Sequence, residues 1–99
     1  MWAMIIGILQ LELTIDGSES LKDKRRVIAS LKDRLHREHQ VSVAEVAQQD
    51  NRRVARLGIA LAAGDVPYCQ SVLDRILDKV QMHRQCVLSD HSVEILTGK

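Results

Sequence analysis

Phenylalanine is absent from this 99-residue chain, and Trp2 and Tyr68 are its only aromatic residues. The core must therefore come from Leu, Ile, Val, Ala and Met. Stacking of bases on aromatic platforms, as in RNA-recognition motifs, is nearly excluded. Proline occurs once, at Pro67, and no linker or low-complexity tract divides the chain, so residues 1–99 form a single domain. Cys69 and Cys86 are the only cysteines, too few for a disulfide scaffold. No run reaches the roughly 18 apolar residues of a membrane span. The apolar start, Trp2 to Leu13, is broken by Gln10 and Glu12 and has no basic segment before it, unlike a secretory leader. The expectation is a cytoplasmic protein with no membrane partner.

Overall charge is nearly balanced at +1, but its distribution is not. Residues 20–56 carry a net +5 and the remainder −4. The basic half centres on Ser20 to Arg37, where Leu21, Ile28, Leu31 and Leu35 recur at helical spacing among seven Lys and Arg side chains. Such a helix docks by its apolar stripe and offers cations to an anionic partner. Lys22, Arg25, Arg26, Lys32 and Arg37 are expected in solvent, with Lys24 and Arg34 nearer the margins. Arg52, Arg53 and Arg56 add a second basic cluster. Together Lys22, Lys24, Arg25, Arg26, Arg37, Arg52, Arg53 and Arg56 are the candidate phosphate-binding residues, with structured RNA or the ribosome as partner.

Six elements are expected. Residues 2–15 read as a strand with Ile5, Leu9, Leu11, Leu13 and Ile15 on one face and Trp2, Met4, Ile6 and Ile8 on the other. Ser20 caps a helix running to about Glu38, with Asp23 in its first turn. Residues 41–48 form a second strand of poor alternation. Asp50-Asn51 marks a turn. Residues 53–63 form a third strand with Leu57, Ile59 and Leu61 on one face and mostly small residues opposite. Asp65 caps a second helix ending near His83, with Pro67 tolerated in its first turn. Residues 86–96 form a last strand, interrupted around Ser89-Asp90. The order strand, helix, strand, strand, helix, strand predicts an α+β, ferredoxin-like βαββαβ fold: a four-stranded antiparallel sheet with both helices on one face.

Catalytic signatures are missing. No Gly-x-Ser-x-Gly, P-loop or dinucleotide fingerprint occurs. The loop after the first strand, Asp16-Gly17-Ser18-Glu19, lacks the arginine of the acylphosphatase type and the paired cysteines of a metallochaperone. Its acids would repel an anion from the helix N-terminus behind it, so a capped turn is expected there. The four histidines and two cysteines show no metal-ligand spacing. No enzyme activity, catalytic residue, metal or cofactor is expected. Glu45, a carboxylate in an apolar strand, reads as half of a structural ion pair with an arginine.

The first strand is apolar on both sides over its first half. With both helices on one side, Trp2, Met4, Ile6 and Ile8 would share the open side with Ala60 and Ala62, and contiguous exposed apolar surface marks an interface. A homodimer packed sheet on sheet is the expectation. It supports the alternative function, a homodimeric protein-interaction or regulatory module that binds no nucleic acid.

Four stretches taken together carry a family resemblance. Ile5-Ile6-Gly7-Ile8-Leu9-Gln10-Leu11-Glu12-Leu13, Ser20-Leu21-Lys22-Asp23-Lys24-Arg25-Arg26, Val41-Ser42-Val43-Ala44-Glu45-Val46 and Leu57-Gly58-Ile59-Ala60 resemble the YlxP-like family of small bacterial proteins of unknown function. The resemblance spans nearly the whole chain, with motif matches at Ser20, Leu21, Lys22, Lys24, Arg25, Arg26, Ser42, Glu45, Gln49 and Asp50. It implies a ferredoxin-like fold and genes that often neighbour those of translation initiation and ribosome maturation factors. It implies no catalytic residue. Members often carry an aromatic shortly after the Gln-x-Asp-like stretch, where this chain has Asn51-Arg52-Arg53.

Overall fold

Strand β1, Met4–Ile15, buries every second side chain, from Ile5 to Ile15, and leaves Met4, Ile6, Ile8, Gln10, Glu12 and Thr14 on the other face. This period-two pattern is the signature of a strand with one covered face. The computed structural model describes residues 3–98. After β1 come α1 (Leu21–His39), β2 (Ser42–Ala47), β3 (Val54–Ala63), α2 (Val66–Gln81) and β4 (Cys86–Gly98). The strands form one antiparallel sheet in the order β2-β3-β1-β4. Both helices cover one face, so the fold is ferredoxin-like, as the element order implies.

Both helices start where the sequence marks them. The Ser20 side chain accepts from the Asp23 N–H at 3.1 Å, and the Asp23 carboxylate accepts from the Glu19 N–H at 3.3 Å. This reciprocal cap satisfies two otherwise orphaned donors. At α2 the Asp65 carboxylate accepts from the Tyr68 N–H at 2.8 Å, and Pro67 lies in the first turn.

Leu9, Leu11 and Leu13 of β1, Leu57 and Ile59 of β3, Leu31 and Leu35 of α1, and Leu73 and Ile76 of α2 fill the core. Burial of such side chains supplies the main driving force, about 1.5–3 kcal/mol each. Gly7 sets how closely α2 can approach. A β-carbon there would lie 2.6 Å from the Cys69 sulfur and 3.2 Å from Leu73, so only glycine fits beneath this turn.

Two bulges interrupt the ladders. In β4 the register with β1 slips between Glu12 and Leu13, leaving Ser89 extra. This is the interruption expected around Ser89-Asp90. The Ser89 hydroxyl lies 2.8 Å from that of Thr14. In β2 the register with β3 slips between Glu45 and Ala47, leaving Val46 extra. That slip accounts for the poor alternation of this strand.

Candidate nucleic-acid interface

Along α1 the buried side chains are Lys24, Val27, Ile28, Leu31 and Leu35. Lys24 is 1% exposed and occupies the first core-facing position of the helix. Its Nζ lies 2.8 Å from Glu45 Oε2 and donates to the Gln48 carbonyl. Glu45 thus compensates the buried charge, and the Gln48 carbonyl accepts from the same ammonium. This corrects two expectations. Lys24 cannot touch a phosphate, because it is spent inside the molecule, and Glu45 pairs with this lysine, not with an arginine. The spacing held the signal: Lys24, Ile28, Leu31 and Leu35 are 4, 3 and 4 residues apart, the core-facing pattern.

The other predicted cations divide into two groups. Arg37 bonds Asp33 one turn back at 2.9 Å, and Arg56 bonds Glu12 across the sheet at 3.2 Å. Both remain on the surface with their charge compensated. Lys22, Arg25, Arg26, Arg52 and Arg53 are exposed, and among the described residues none of them meets a carboxylate at ion-pair distance.

These five residues come from two segments far apart in sequence, which the fold joins. The Arg52 guanidinium donates to the Glu19 carbonyl at 3.3 Å. The Ile15 N–H donates to the Arg53 carbonyl at 2.7 Å. Lys24 reaches the same loop at Gln48. The β2–β3 loop is thus stitched to the start of α1, and both basic clusters lie at one end of the molecule. A hollow of about 230 Å³ at this end is lined by Asp16, Ser18, Asp23, Arg26 and Gln85 among others. Its two carboxylates disfavour an anion inside it, so the cations act from the surface.

Near the C-terminal ends of both helices, Glu38 accepts from Lys79 at 2.6 Å and lies 3.5 Å from Arg34. The Lys79 bond holds the Glu38 carboxyl below its ordinary value. Burial, joined by the charges of Lys79 and Arg75 and opposed by Glu38, holds His39 below the ordinary imidazole value. Burial and Arg34 do the same for His83. His36 Nδ1 lies 2.8 Å from the Val41 carbonyl. Cys69 and Cys86 are buried free thiols, each pushed up by burial. Among the described residues no three His, Cys, Asp or Glu side chains converge as metal ligands would.

On the helix-free face, β1 and β3 pair so that Ile6 lies beside Ala62 and Ile8 beside Ala60. Met4 is half exposed on the same face, and Trp2 lies outside the described residues.

The family model described as "Protein of unknown function (DUF503)" matches residues 6–93. This chain belongs to the DUF503 family. The uncharacterized protein YlxP of Bacillus subtilis (strain 168) is 30% identical over 73 residues, which span 74% of this chain and 79% of that protein. The de novo designed protein Foldit4 covers 97% of both chains at 15% identity with a TM-score of 0.52, a likeness of fold alone. The designed ferredoxin-fold protein LFR1 1 covers 98% of this chain and 85% of its own at 14% identity and a TM-score of 0.41. The DUF503 assignment agrees with the YlxP-like resemblance of the sequence motifs and brings no catalytic residue with it. No α-helix of the described DUF503 chain is long and apolar enough to cross a membrane.

Proposed function

We propose that this DUF503 protein is a non-catalytic accessory protein that binds the phosphate backbone of structured RNA, free or within the ribosome. One observation carries the reading. Two basic stretches separated in sequence meet at one end, where Lys22, Arg25, Arg26, Arg52 and Arg53 stand exposed without carboxylate partners among the described residues. Cations so placed attract a polyphosphate and release its counterions. With Tyr68 as the only described aromatic residue, recognition rests on shape and charge and does not read base sequence. The internally paired Arg37 and Arg56 contribute less than the five.

Binding of ribosomal RNA and of unrelated structured RNAs, followed by fluorescence anisotropy over a salt series, tests this. Reversing Arg25 and Arg26 to Glu weakens binding to every RNA alike and flattens the salt dependence by about two in log–log slope. Arg37→Gln has a smaller effect than Arg26→Gln. If the doubly reversed protein binds as tightly as its parent, the surface is misassigned.

A further inference from the structure

We propose that a second copy of this chain covers the open face of the sheet, across a two-fold axis that runs along the strands between β1 and β3. The inference stands apart from RNA binding. Three properties of the face support it.

The first is apolar exposure. Met4 is 50%, Val46 51% and Leu96 42% exposed. By register, Leu96 lies beside Ile6 on β1 and Ala62 beside Ile6 on β3. Among the described residues no segment lies over these side chains, and contiguous exposed apolar surface marks an interface.

The second is extent. β1, β3, β4 and β2 have 12, 10, 13 and 6 residues; at about 3.4 Å per residue and about 4.8 Å between strands they make a face of ~670 Å². That is of the order of the ~800 Å² that each partner buries in a standard interface.

The third is self-complementarity, which selects the second copy as occupant and orients it. On this face β1 is the ridge and β3 the valley. The register pairs Ile6 with Ala62, Ile8 with Ala60, Gln10 with Gly58 and Glu12 with Arg56. A two-fold along the strands lays each β1 over the other copy's β3 at the same level. Each isoleucine then meets an alanine of the other copy, and Gln10 meets Gly58 and the Val46 side chain that lies against it. Large on small at every step is how facing layers interdigitate. Glu12 meets the other copy's Arg56, so the two internal pairs, each 3.2 Å, form one ring of alternating charge. The concavity of about 440 Å³ lined by Ala44, Val46, Gly58 and Ala60 receives the other copy's Ile8 and Gln10. The alternative two-fold, across the strands, would set ridge on ridge and valley on valley. The resulting contact is isologous, as closed dimers require, and resembles aligned sandwich packing. Because this axis preserves strand direction, the basic ends of both copies lie at the same end of the dimer.

Sedimentation velocity of the whole chain tests this. The parent sediments as a dimer, twice the 11.2 kDa chain mass. Ala62→Arg, at an exposed position, becomes monomeric while its circular dichroism and melting curve stay those of a folded protein. Ala60→Ile sets isoleucine on isoleucine and weakens the dimer at least about tenfold. Combining it with Ile8→Ala exchanges ridge and valley and restores association. A monomeric parent, a dimer that survives Ala62→Arg, or a failure of the exchange to restore what Ala60→Ile loses would each overturn the proposal.

Discussion

Lys24 and Glu45 meet inside the molecule, 2.8 Å apart, from a helix and an edge strand that have no other ion pair between them among the described residues. The lysine is 1% and the glutamate 18% exposed. Lys24→Met strips the partner from a largely buried carboxylate and from the Gln48 carbonyl. The expected loss is about 1–3 kcal/mol, read as a lower urea midpoint. Adding Glu45→Leu removes the stranded charge and recovers more than half of that loss. If the single variant is as stable as the parent, the pair does not hold α1 to β2.

Gly7 and Cys69 make a second coupled pair. Gly7→Ala drives a methyl group to 2.6 Å from the Cys69 sulfur, so α2 must lift. Overpacking of this kind costs about 1–3 kcal/mol. Cys69→Ala alone leaves a small cavity and costs about 1 kcal/mol. In the double variant the new methyl occupies the space the sulfur leaves. Chemical denaturation of all four proteins then shows a double loss smaller than the sum of the single losses. Simple additivity would refute the close approach.

Acid weakens this protein through His39 and His83. Burial holds both imidazoles below their ordinary value, so the folded state binds their protons less readily than the unfolded state. The His83 ring accepts from the Gln85 N–H at 3.3 Å, a bond that the protonated ring cannot make. Their contribution is therefore complete above the unfolded pKa, about 6.5. It declines as pH falls below that value toward the lowered native ones. Urea midpoints measured between about pH 7.5 and pH 5.5 fall on acidification. Replacing both histidines with Gln flattens the dependence; an unchanged slope in that variant assigns the effect to other groups.

The order of elements was legible because each rests on local chemistry. Ser20 and Asp65 cap the helices, and β1 alternates apolar with polar from Leu9 to Ile15. The ion pair one turn apart between Arg34 and Glu38, 3.5 Å, follows from spacing alone. The bond of Arg56 to Glu12 bridges 44 residues and needed the β1–β3 register. Lys24 and Glu45 were harder still. Each is a charge at a core-facing position, so each looks like a break in the pattern of its own element, and only the pair makes sense of either. Val46 misled similarly, because the bulge it creates disturbs the period by which β2 would be read.

The bulge at Ser89 makes β4 unequal in what it can lose. Leu88 stands opposite Leu13 and Asp90 opposite Glu12, so excising Ser89 would join two halves already in step. Every other side chain would keep its neighbour and its face, at the expense of the Thr14 hydroxyl contact. Excising Ser92 instead would invert the half beyond it, carrying Val93 and Ile95 outward and Glu94 under the helices. Where kindred chains differ in length along this strand, the gap belongs at Ser89.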